Sequence, residues 1–106
     1  STPARELLVK KALEYLDNLS QESANDLELQ AELAKAYEEV GKVQENLNNS
    51  EGALNSYEKS KNIRLNLLEK EPENLSLQND LANTYRLIGG LHTNSSDYAK
   101  AGETLD

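Results

Sequence analysis

Apolar residues recur along this chain at spacings of three and four with polar residues between them, a pattern that builds amphipathic α-helices and not strands. Leu8, Val9, Ala12, Tyr15, Leu16 and Leu19 share one face of a helix predicted over about residues 4–23, with Pro3 in a first turn where its missing N–H costs nothing. Asn25-Asp26 interrupts the pattern, and either residue can cap the next helix: Asn25 stands three before Glu28, while Asp26 matches Asn74 further on. Helix two is predicted over about residues 27–46, with Leu29, Leu33, Ala36, Tyr37, Val40 and Val43 inward. Gly41 lies inside it and marks either a close helix contact or an irregular turn. Asn46-Leu47-Asn48-Asn49-Ser50 reads as a turn. Helix three then covers about residues 51–70, burying Ala53, Leu54, Tyr57, Ser60, Ile63, Leu67 and Leu68 before Pro72 stops it. Helix four is predicted over about residues 75–91, with Leu77, Leu81, Ala82, Tyr85 and Ile88 inward. Gly89-Gly90 weakens its end, Asn94-Ser95-Ser96-Asp97 reads as a turn, and a fifth helix carrying Ala101 and Leu105 is expected from about Tyr98.

The pattern also returns on itself. Residues 29–41 (LQAELAKAYEEVG) reappear 48 positions later as residues 77–89 (LQNDLANTYRLIG), with six of the thirteen positions identical. Such recurrence signals a stack of similar units, and a stack offers surface for binding before it offers a catalytic cleft.

The helix pairs resemble tetratricopeptide repeats, a 34-residue pattern of large-small, aromatic, Ala, aromatic and Pro positions. Here these are Leu33, Ala34, Tyr37, Ala53, Tyr57 and Pro72, then Leu81, Ala82, Tyr85 and Ala101, with Leu105 in place of the second aromatic. Tyr37 to Ala53 spans 16 residues and Tyr57 to Pro72 spans 15, each about seven longer than in the family. Seven residues add about two helical turns and drift the face by only about 20°. Each helix therefore lengthens without losing its apolar stripe. Shifting by one more period sets Ala12, Tyr15 and Leu19 on Ser60, Ile63 and Leu67, so the first helix matches the second helix of a preceding unit.

The resemblance implies an all-α, antiparallel helix-hairpin solenoid of about five extended helices. It divides the single unit 1–106 into a partial repeat (4–23), a full repeat (27–72) and a truncated one (75–106). Residues 6–16 (ELLVKKALEYL), with 29–44 and 53–64, are also similar to the long-repeat regions behind the kinase domain of many bacterial serine/threonine protein kinases.

Composition narrows the chemistry. Of 106 residues, 37% are hydrophobic, with five Tyr and no Phe, Trp, Met or Cys, a helix-forming palette without disulfide or thiolate chemistry. The formal charge of −8 and the lack of any basic tract turn away nucleic acid and anionic bilayers. No apolar run approaches the roughly 20 residues of a membrane helix, and a cytoplasmic protein is expected. With His92 the single histidine, a Cys/His metal centre is excluded and a Ser-His-acid triad would depend on that one residue. Glu38/Glu39 and Glu69/Glu71 are acid pairs with nothing to set them across a cleft, and no phosphate-cradling or kinase motif is present. No enzyme, metal or cofactor is expected.

In tetratricopeptide folds the first helix of each repeat lines a concave face that contacts bound peptide. The matching positions are Glu28, Ala31, Lys35 and Glu38, then Ser76, Asn79, Asn83 and Arg86. The resemblance implies a partner-binding set of Lys35, Glu38, Asn79, Asn83 and Arg86: Asn amides can bridge a peptide backbone, and Lys35 and Arg86 can hold a carboxylate. The family's carboxylate grooves carry Lys and then Asn four residues on, whereas this chain has Ala31 and then Lys35. Faces near Val9, Tyr15 and Leu105 lack a neighbouring repeat and are candidates for self-association, including a homodimer. The expected function is a non-catalytic scaffold that binds a protein or peptide, or another domain of a parent protein. The alternative is a structural spacer or self-association segment of a larger bacterial protein, with or without a kinase domain.

Overall fold

A computed structural model describes residues 2–105, with side-chain surroundings given through residue 93, and folds the chain into four α-helices: α1 (Pro3–Glu22), α2 (Leu27–Asn46), α3 (Ser50–Lys70) and α4 (Leu75–Leu105). They pack in sequential order, α1 on α2, α2 on α3 and α3 on α4, and the described residues include no strand. Among the described residues no helix is long and apolar enough to cross a membrane.

Short polar side chains start the helices. The Thr2 hydroxyl accepts from the Arg5 N–H, Asp26 from Leu29, Asn49 from Gly52 and Asn74 from Leu77, at 2.9–3.2 Å. Each satisfies one of the backbone donors that a helix N-terminus leaves open. Between the two candidates ahead of α2 the cap is Asp26, and its counterpart one period on, Asn74, makes the same bond. The repeated glutamines have a matching task. Gln30 Nε2 donates to the Ser20 and Ser23 carbonyls that end α1, and Gln78 Nε2 donates to the Pro72 carbonyl beyond α3.

The α2–α3 turn closes on Asn48, the one non-glycine residue with positive φ (62°) among the described residues. The Asn49 N–H reaches the Gln44 carbonyl at 2.8 Å and the Asn48 N–H reaches that of Glu45 at 2.9 Å. These two bonds form a Schellman closure, for which Asn is suited because it tolerates the left-handed conformation. One period later the sequence has Ser96 instead of Asn48. There the expected turn at residues 94–97 does not form: α4 runs unbroken to Leu105, and the described residues form four helices and not five. Without Asn or Gly at the left-handed position, continuing the helix keeps backbone hydrogen bonds that a turn would give up.

Two apolar clusters hold the stack. Leu16, Leu33 and Tyr37, flanked by Leu13, Leu19, Leu29, Ala36, Val40 and Ile63, join α1, α2 and α3. Ala53, Tyr57, Ile88 and Leu91 join α3 to α4. Gly41 is a close contact and not an irregular turn: a Cβ there would lie 2.4 Å from the Tyr57 ring. Several residues expected inside are exposed instead, namely Leu8 (70%), Tyr15 (66%), Val43 (45%), Tyr85 (49%) and Ala82. The apolar stripes of α1 and α4 are wider than the surface their neighbours cover, so part of each stripe stays in solvent.

Candidate functional site

The sequence places Glu38, Asn83 and Arg86 on α2 and α4, and the fold brings them together. Glu38 is 5% exposed and Arg64, from α3, is 6% exposed; Arg64 Nη1 stands 2.6 Å from Glu38 Oε1. The same nitrogen donates to Thr84 Oγ1 at 2.6 Å and to the Asp80 carbonyl at 3.2 Å, while the Thr84 hydroxyl donates to the Asp80 carbonyl at 3.1 Å. Asn83 Nδ2 donates to both Glu38 oxygens at 3.4 Å, and Arg86 Nη2 donates to Asn83 Oδ1 at 2.5 Å. Lys42 approaches the Glu38 carboxylate at 3.8 Å from the solvent side.

Three helices therefore meet on one buried ion pair. Its charges are compensated and hydrogen-bonded, as buried charges must be. Glu38, expected to contact a partner, is occupied inside the protein. Its role is to tie α2 to α3 and α4, and Asn83 is half-buried beside it. Lys35, on α2, and Asn79 and Arg86, on α4, are exposed.

No family model, curated protein or solved structure matches the chain.

A second polar cluster lies across α1, α2 and α3. The Tyr37 hydroxyl donates to Asp17 Oδ1 at 2.6 Å, and Lys59 Nζ donates to the same carboxylate at 2.9 Å while standing 5.5 Å from the centre of the Tyr37 ring. Together with Ile63 and Asn62 these residues line an open groove. Burial by itself raises the Asp17 carboxyl, but the bonds from Tyr37 and Lys59 and the Lys59 charge outweigh it and hold the group below its ordinary 3.8. A carboxyl lowered by folding contributes stability that is present above its unfolded pKa and is lost as pH falls through the folded value. Asp17→Asn should therefore flatten the acid limb of the stability profile below about pH 4. Urea titrations of both proteins at several acidic pH values check this, and parallel limbs would contradict it.

Of the remaining candidates, Val9 is half-buried and Tyr15 exposed, while the Leu105 side chain lies outside those described. His92, Glu39, Glu69 and Glu71 are exposed. Among the described residues no group of three or more His, Cys, Asp or Glu is placed to hold a metal ion. Sequence reading missed Arg64 and Thr84. The available signal was their position: Arg64 stands one period after Leu16, and Thr84 one period after Ala36, so both fall on an inward register.

Proposed function

We propose that this chain is a tetratricopeptide-like binding module that takes a carboxylate-bearing peptide or protein segment across the face shared by α2 and α4. The observation that carries this reading is the side-by-side seating of the two helices through Glu38, Asn83 and Thr84. Lys35, Asn79 and Arg86, on the same two helices, are exposed. The Glu38 charge is already paired with Arg64, so Lys35 and Arg86 are the exposed groups that can hold a carboxylate, away from the exposed Glu28 at the start of the stripe. Asn79 adds an amide able to bridge a peptide's N–H and C=O. The likeness to regions behind bacterial kinase domains supports an accessory, non-catalytic role.

The test is selection from a displayed random peptide library, followed by fluorescence anisotropy on the wild type and on a Lys35→Ala/Asn79→Ala/Arg86→Ala variant. The selected peptides should carry Asp, Glu or a free C-terminus, and the variant should bind them tenfold or more weakly with unchanged circular dichroism. Peptides that bind the triple variant as tightly as the wild type would sink the reading. A structural, self-associating role is the second reading. It is favoured by the exposed Leu8, Tyr15 and Tyr85.

A further inference from the structure

The two outer helices expose opposite halves of a contact that the chain already makes internally. In the α2–α3 pair, α2 contributes Ala34 (0% exposed), Tyr37 (2%) and the buried Gly41. Forty-eight residues on, α4 carries the same three residue types at Ala82, Tyr85 and Gly89. Ala82 is exposed, Tyr85 is 49% exposed, and nothing lies within 4 Å of where a Gly89 Cβ would stand. This is an α2-type face with no α3-type helix upon it.

The complementary half is on α1. In α3 the positions turned toward α2 include Ser56 (1% exposed), Tyr57 (0%), Ser60 (0%) and Ile63. Forty-eight residues earlier these are Leu8, Val9, Ala12 and Tyr15. Leu8 is 70% and Tyr15 66% exposed, although both are large and apolar enough to favour burial. Val9 and Ala12 are half-buried, so Leu8 and Tyr15 are the open part of this α3-type face.

We propose that a second copy of this chain seats its α1 on α4 of the first, head to tail, continuing the α2–α3 interface from one molecule into the next. In this arrangement Tyr15 of one copy meets Tyr85 of the other, as Ile63 meets Tyr37 within the chain. Val9 lies over Gly89, as Tyr57 lies over Gly41. The contact joins unlike surfaces, so it does not close on a twofold axis and each added copy presents a fresh α4 face. Each copy carries a formal charge of −8, and salt should strengthen the assembly by screening that repulsion. The proposal does not depend on the peptide-binding face, which uses other residues.

The experiment is sedimentation velocity on the 106-residue chain from micromolar to millimolar concentration at low and high salt. It is repeated on Tyr15→Glu and Ala82→Glu, two exposed positions where Glu suits a helix, with circular dichroism confirming the fold of each. The wild type should grow reversibly past the dimer, and each variant alone should stay monomeric. Mixed, the variants should form a one-to-one dimer and stop there, because each retains the face that the other lacks. A monomeric wild type throughout would overturn the proposal. So would a dimer formed by either variant alone, because that contact joins like faces.

Discussion

Arg64→Ala should destabilise the fold by about 3–5 kcal/mol, the range expected when one partner of a buried ion pair is removed. The guanidinium is 2.6 Å from Glu38 and 2.6 Å from Thr84, and it caps the Asp80 carbonyl. Its loss leaves the buried Glu38 carboxylate without its close cation, supported by the Thr84 hydroxyl at 3.3 Å, Asn83 at 3.4 Å and Lys42 at 3.8 Å. A domain of this size has about 5–15 kcal/mol of stability in total, so the variant should be marginal at room temperature. Arg64→Met combined with Glu38→Met should recover most of the loss, because a well-packed apolar pair removes both the charges and their desolvation cost. Urea unfolding of the single and double variants decides the matter. A single variant within about 1 kcal/mol of wild type would mean that water reaches the pair and the site is not buried as described.

That ion pair also shows where sequence reading succeeds and where it stops. The first three helices and the principal contacts Leu33, Tyr37, Ala53 and Tyr57 were legible because each depends on local chemistry or on an apolar residue recurring at helical spacing. Glu38 and Arg64 were not. Amphipathic reading sends charges to solvent, and these two differ between the copies: Glu38 becomes Arg86 one period on, and Arg64 was Leu16 one period before. A buried polar cluster thus takes the place of an apolar one at the equivalent level of the stack.

The second limit concerns neighbours. An apolar stripe declares that a helix can bury a face but not that a partner is present, which is why Tyr37 is buried and its repeat Tyr85 is half exposed. The length of α4 was hidden for a related reason. Asn94-Ser95-Ser96-Asp97 has the composition of a turn, yet only the contrast with the left-handed Asn48 shows what the turn lacks. The same limits apply to the binding face. Lys35, Asn79, Asn83 and Arg86 were placed on a stripe by spacing, but the occupation of Glu38 depends on Arg64 of α3, far away in sequence, and that of Asn83 depends on Glu38 in turn.

The contact between Gly41 and Tyr57 yields the other large effect. Tyr57 is fully buried, its ring lies against Gly41, and its hydroxyl donates to Glu45 Oε1 at 2.5 Å. Burial and the neighbouring Glu45 carboxylate push the phenol up, so it remains a donor across the neutral range. Tyr57→Ala should cost about 3–5 kcal/mol, the range for truncating a buried aromatic. Gly41→Ala should also destabilise, even though Ala is the better helix former by about 1 kcal/mol. The added methyl would sit 2.4 Å from one ring carbon and 2.6 Å from another, and a ring closed in on all sides has no room to give way. Overpacking of this kind costs about 1–3 kcal/mol. In the Tyr57→Ala background the ring is gone, and Gly41→Ala should change sign and stabilise by about 1 kcal/mol. Four proteins unfolded in urea complete the cycle. A Gly41→Ala effect of the same sign in both backgrounds would mean that the glycine is not there to admit the ring.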